Sequence, residues 1–176
     1  MKMNMSSIRW SWLCLSLGLF CGLSPVTAKT EEKGAVSAKE AVVRLYQDYA
    51  WVVLIDDPGL KGLVTQSQKE LSKYFTPSLA SLLDKDHQCA EETKEICSLD
   101  FDPIYDSQDP DGAHQLRVEP MNADHLVRVT FSPRWSSPQT TEIKFKMVNT
   151  TNGWRIDDIV YQGHESLRAL LTRRKP

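Results

Sequence analysis

The spacing of apolar residues changes once along this chain, and that change restricts the fold to one class. Up to about residue 86 the apolar side chains recur every three or four positions, the period of a helix with one buried face. Ser37-Ala38-Lys39-Glu40 forms a capping box, in which the serine oxygen accepts the fourth residue's amide and the glutamate reaches back. Val42, Leu45, Tyr46, Tyr49, Val52 and Val53 follow, predicting a long first helix stopped by Asp56-Asp57-Pro58-Gly59. Ser67 and Glu70 repeat the capping spacing for a shorter helix ending near Tyr74. Thr76-Pro77 starts a third, with Leu79, Leu82 and Leu83 as its buried face and Asp84-Lys85-Asp86 as its end.

From residue 115 the period becomes two. Gln115–Glu119 reads as a short strand ended by Pro120, and His125–Phe131 places Val127, Val129 and Phe131 on one face. Thr141–Asn149 sets Ile143, Phe145 and Met147 against Lys144 and Lys146, the alternation of a half-buried antiparallel strand. Thr151-Asn152-Gly153 supplies a hairpin turn. The return strand begins at Trp154, and its apolar phase slips between Ile156 and Ile159, which places a bulge at Asp157-Asp158. Leu167, Leu170 and Leu171 mark a short last helix. Helices followed by an antiparallel meander define an α+β fold, with N-terminal helices packed on a sheet.

Between the two halves lies the stretch with the most chemistry. Cys89 and Cys97 enclose the polar segment AEETKEI. In an oxidising compartment thiols this close pair, which closes a loop worth about 2.6 kcal/mol in the chain-entropy account. A zinc reading would add His87 in the pattern H-x-C-x7-C, but it supplies three ligands where structural zinc takes four. Asp100, Asp102, Asp106, Asp109 and Asp111 follow within twelve residues. Calcium wants oxygen ligands of this kind. As an EF-hand loop starting at Ser107, however, the segment has Val118 where the bidentate glutamate belongs, and Pro110 interrupts it. Asp-Pro and Asp-Gly pairs account for the same residues as turn chemistry.

The first 28 residues read as a secretory signal. Lys2 and Arg9 precede an apolar run from Trp10 to Leu23, Ser24-Pro25 breaks it, and Val26-Thr27-Ala28 gives small residues for cleavage. Cys21 follows Phe20 and Cys14 follows Leu13, poor settings for a lipoprotein anchor, so soluble export to a bacterial periplasm is the expectation over anchoring at Cys21. Residues 29–36 form a flexible leader, 37–172 one domain and 173–176 a basic tail. Without residues 1–28, 19 basic residues face 23 acidic ones. That balance argues against a nucleic-acid binder, which carries a basic face.

Three segments carry a resemblance: YFTPSLASLL at 74–83, ICSLDFDPIYDSQD at 96–109, and GWRIDDIVYQG at 153–163 followed by SLRALL. Together they resemble a family of exported bacterial domains of unknown function typified by small enterobacterial lipoproteins. That family is similar to the nuclear-transport-factor-2-like superfamily, also called ketosteroid-isomerase-like or cystatin-like. The resemblance implies a curved sheet wrapped around a long helix, a cone, and implies no activity.

Some members of that superfamily place an aspartate base opposite a tyrosine donor inside the cone. Here the bases on offer are Asp102, Asp106 and Asp158 and the donors Tyr46, Tyr105 and Tyr161, and no spacing ties any base to any donor. No serine-hydrolase elbow or glycine-rich phosphate loop is present. The expectation is a non-catalytic envelope protein with no cofactor and no metal. Asp100, Asp102, Tyr105, Ser107, Gln108 and Asp109 would form its binding surface for an envelope protein or a small ligand. A docking protein predicts a filled interior and an exposed apolar patch beside this loop. A ligand carrier or enzyme predicts a pocket where a carboxylate and a tyrosine converge. An antitoxin-like immunity role also fits the size and charge.

Overall fold

In the computed structural model, which describes residues 37–55, 57, 59–121, 125–133 and 139–173, the capping box forms as drawn. Ser37 Oγ accepts from the Glu40 amide at 3.2 Å and the Ser37 amide donates to Glu40 Oε2 at 2.6 Å. The helix it opens, α1 (Ala38–Tyr49), buries Val42, Leu45 and Tyr46. It stops well before the predicted Asp56–Gly59 terminator, of which residues 56 and 58 lie outside the described set. The cause is a competing donor. The Tyr105 hydroxyl donates to the Ala50 carbonyl, and Leu54 bonds back to Trp51 instead, so Val52–Leu54 make a single 3-10 turn. The signal and leader assigned to residues 1–36, including Cys21, and the tail from residue 174 also lie outside the described residues.

The second helix, α2 (Gln68–Leu71), is shorter than the predicted reach to Tyr74. Its continuation is diverted to the sheet: Thr76 N–H donates to the Ile156 carbonyl and Ile156 N–H to the Tyr74 carbonyl, each at 2.8 Å. Thr76 then caps α3 (Pro77–Thr93), accepting from the Leu79 amide, with Pro77 in the first turn. Asp84–Asp86 does not end this helix as predicted. Asp84 accepts from Gln88 one turn on, and α3 runs through Cys89 to a left-handed Lys94 at φ 58°. The Asp86 carboxylate has a distant destination. It takes the Ser98 amide at 2.7 Å and the Leu99 amide at 3.2 Å, folding the returning chain onto α3. Cys89 and Cys97 lie at disulfide distance beside this clamp, their Cα atoms 6.1 Å apart.

The sheet is a meander of four antiparallel strands in the order β1 (Ala113–Pro120), β2 (Leu126–Pro133), β3 (Thr141–Thr150) and β4 (Gly153–Val160). β1 therefore starts two residues earlier than predicted and includes Pro120, which an edge strand tolerates. Val127, Val129 and Phe131 face inward with Ile143, Phe145 and Met147, as the alternation requires. The phase slip in β4 is a bulge: Lys146 pairs with Asp158 and Met147 with Ile156, leaving Asp157 as the extra residue. That extra residue lets Ile156 and Ile159 both reach the core. α1 lies against all four strands, and α3 packs on α2, β4 and the last helix α4 (Leu167–Thr172). The described residues belong to one compact unit, Gly34–Pro176, and none of their helices is long and apolar enough to cross a membrane.

The two edges of the sheet differ. The outer edge of β4 is met at Ile156 by residues 74–76, whereas among the described residues β1 pairs with β2 alone and is exposed along most of its length.

Candidate functional site

Asp102, Pro103, Ile104 and Tyr105 form a turn that points into the protein. Asp102 Oδ1 accepts from the Ile104 amide at 2.9 Å, and the Asp102 carbonyl accepts from Tyr105 and Asp106. Asp102 N–H donates to the Ser107 carbonyl at 2.8 Å, closing the turn's neck. Ile104 is fully buried and Tyr105 nearly so. Three tyrosine hydroxyls hold this plug: Tyr46 donates to the Ile104 carbonyl at 2.6 Å, Tyr161 to Pro103 at 3.3 Å, and Tyr105 itself to Ala50. Burial raises the Asp102 pKa, against the Ile104 and Tyr105 amides that pull it down.

The residues proposed from sequence therefore divide. Asp102 and Tyr105 belong to the plug. Asp100, Ser107 and Gln108 come together on the surface with Ser98, Phe101, Asp106, His164 and Leu170 around a shallow depression of about 320 Å³. Gln108 Nε2 donates to Asp100 Oδ2 at 2.9 Å. Asp109, next in sequence, is exposed and does not line the depression. His164, which is not among the residues proposed from sequence, lies in this face. Its Nε2 lies 2.6 Å from Asp106 Oδ1, its ring stacks on Tyr161 at 4.7 Å, and Phe101 meets it edge-on at 5.5 Å.

The base and donor candidates are all occupied structurally. Asp158 accepts from the Ile159 and Arg168 amides, both at 2.9 Å, the second at the start of α4, and is 3.4 Å from Lys146 Nζ. Asp106 meets His164, and the hydroxyls of Tyr46, Tyr105 and Tyr161 are donated to backbone carbonyls. Among the described residues no three His, Cys, Asp or Glu side chains gather to hold a metal ion.

Beside the loop the 3-10 turn exposes apolar surface. Trp51, Leu54 and Ile55 are 42%, 52% and 49% accessible, unusually open for large apolar side chains in sequence neighbours. This strip abuts the end of the acidic stretch at Gly112. That residue has φ +97°, which favours glycine, and its Cα lies so close to the strip that a Cβ would stand 2.9 Å from the Leu54 Cδ2 tip.

A second concavity, absent from the sequence expectations, opens between α1 and the β3–β4 hairpin. Ala41, Arg44 and Asp48 line one wall, Lys73 and Tyr74 the second, and the β3–β4 hairpin from Asn149 to Arg155 the third, enclosing about 590 Å³. Here a carboxylate and a tyrosine do meet: the Tyr74 hydroxyl donates to Asp48 Oδ2. Burial first, and then the Asp48 hydrogen bond and charge, push the Tyr74 pKa up, so the phenol stays protonated. Because the pair is spent on each other, it does not supply a free base facing a separate oxyanion donor, the arrangement proton abstraction needs.

All five tyrosines of the chain are raised above the ordinary value of 10.0, Tyr105 to about 12, with burial the first cause in every case. A raised pKa in the folded state means stability that is complete below pH 10 and falls as pH climbs past it. An alkaline titration should therefore show no tyrosinate step near pH 10. Absorbance at the tyrosinate band should rise together with loss of helical circular dichroism. A separate step near pH 10 with the fold intact would show that the hydroxyls are not held as described.

No family model and no curated protein matches the chain. It is similar to one solved structure, the crystal structure of a protein of unknown function from Bacteroides thetaiotaomicron VPI-5482. The identity is 20% over 70% of this chain and 88% of that one, with a TM-score of 0.42. A likeness at that level carries no argument about fold or role.

Proposed function

We propose that this chain is an exported envelope protein that works as a non-catalytic interaction module, docking a protein partner through the 98–109 loop and the adjoining Trp51–Ile55 strip. The observation that carries this reading is the plugged interior. Ile104 and Tyr105 fill the interior beneath α1, and the hydroxyls that chemistry would use are donated to backbone carbonyls while the carboxylates are held by backbone amides or by His164. What remains at that end is a surface, apolar at Trp51, Leu54 and Ile55 and acidic at Asp100 and Asp109, which fits a partner with an apolar centre and a basic rim. The helix α1 lying across four strands supports a variant of the nuclear-transport-factor-2-like arrangement. The close cysteine pair and the apolar N-terminal run support export.

Site-specific photo-crosslinking in the living envelope tests the docking surface. A photoreactive residue at Trp51, Leu54 or Gln108 should give the same discrete adduct, and one at Lys144 on the sheet's polar face should not. The adduct should disappear when Leu54→Ser is combined with a probe at Gln108. Equal yields from Lys144, or no adduct from any of the three positions, refutes the surface.

A further inference from the structure

The cleft between α1 and the β3–β4 hairpin shares no lining residue with that docking face, and its charge is of the opposite sign to the chain's. The chain carries a formal net charge of −2, yet the cleft is lined by Arg44, Lys73 and Arg155 against the single carboxylate of Asp48. Lys73 is paired with Glu70, an exposed contact worth little. Arg44 and Arg155 have no ion-pair partner among the described residues.

Arg155 is nevertheless held in place. Its Nε donates to the Ser72 carbonyl at 3.0 Å and its Nη1 to the Trp154 carbonyl at 2.9 Å. Neutral carbonyls orient the guanidinium without cancelling its charge, which is the preorganisation a planar oxyanion exploits. Tyr74, 7% accessible, fixes Asp48 by donating to one of its oxygens. Trp154, half-buried, packs on His125 with ring centres 5.0 Å apart and gives the cleft an apolar wall. The volume, about 590 Å³, is that of a small-molecule site.

We infer that this cleft binds a small organic anion, its carboxylate or phosphoryl group held by Arg155 and Arg44, its hydroxyl or amino donor received by Asp48, and its body resting on Trp154. The alternative is a surface groove whose arginines serve only solubility. Arg155 argues against it, because a guanidinium placed for solubility does not need two backbone anchors directing it along a concave wall.

Nuclear magnetic resonance titration of the purified protein with inorganic phosphate and, separately, citrate decides the matter. The Trp154 indole and the Asn149 and Asn152 side-chain amides should shift along a saturating curve. Saturation by phosphate alone assigns a phosphoryl ligand, and saturation by citrate alone a carboxylate. Arg44→Gln, on an exposed helix position that leaves the fold intact, should weaken binding about tenfold, as should Arg155→Gln. Lys144→Gln should change nothing. Shifts that never saturate with either probe, or wild-type affinity retained in both arginine variants, overturn the assignment. Neither result bears on the docking face, where crosslinking gives an independent answer.

Discussion

Ile104→Ala should destabilise the protein by about 4–5 kcal/mol, the upper part of the range for emptying a buried aliphatic site. How much such a site recovers depends on how far its surroundings collapse, and here they are pinned. The Ile104 carbonyl is held by Tyr46, its amide by Asp102, and the turn's neck by the bond from the Asp102 amide to the Ser107 carbonyl. The cavity left by the side chain therefore stays open. Urea unfolding measures the effect as a lower midpoint at unchanged slope. Ile96→Ala is the matched control, since Ile96 is 65% exposed and its loss should fall within about 0.5 kcal/mol. If the two substitutions cost the same, Ile104 does not plug the interior and the argument against an internal pocket fails.

Removing both cysteines, as Cys89→Ser with Cys97→Ser, should cost about 2.6 kcal/mol in the unfolding equilibrium. A second effect belongs to the clamp beside it. The bridge and the Asp86 carboxylate fasten the same three residues, 97–99, to α3. With either fastening present the segment stays down; with both gone it opens without the rest of the protein unfolding. Hydrogen exchange at the Ser98 and Leu99 amides should thus accelerate modestly in Asp86→Ala or in the double serine variant. In the triple variant it should accelerate far more than the product of the two effects. Multiplicative behaviour would mean the fastenings act on separate events.

Local chemistry explains which features could be read in advance. The Ser37–Glu40 box, the Thr76-Pro77 start, the turn at Gly153 and the inward faces of β2 and β3 all depend on residues within a few positions of one another. Even the bulge at Asp157 was visible, as a slip of phase between two isoleucines. The misjudged boundaries share a different cause. α1 ends where a hydroxyl 55 residues away takes its carbonyl, and α3 continues because the aspartate expected to stop it serves amides 12 and 13 positions on. Of the proposed binding residues, Asp100, Ser107 and Gln108 came together at the surface. Asp102 and Tyr105 turned inward because the Pro103-Ile104 pair between them is apolar and buries itself. The basic cleft left only a faint trace in sequence: Arg44 and Asp48 fall off the apolar stripe of α1, and nothing local ties them to a hairpin a hundred residues later.

The unequal edges of the sheet limit how copies of this protein can assemble. A fibre grows by adding strands at two ends, and at one of those ends the protein's own residues 74–76 already hydrogen-bond Ile156. The free side offers Arg117 and Glu119 outside an irregular register and finishes in Pro120. Strand pairing between molecules is therefore favoured at the β1 edge, where it joins two sheets, over the β4 edge, where residues 74–76 stand in the way at Ile156.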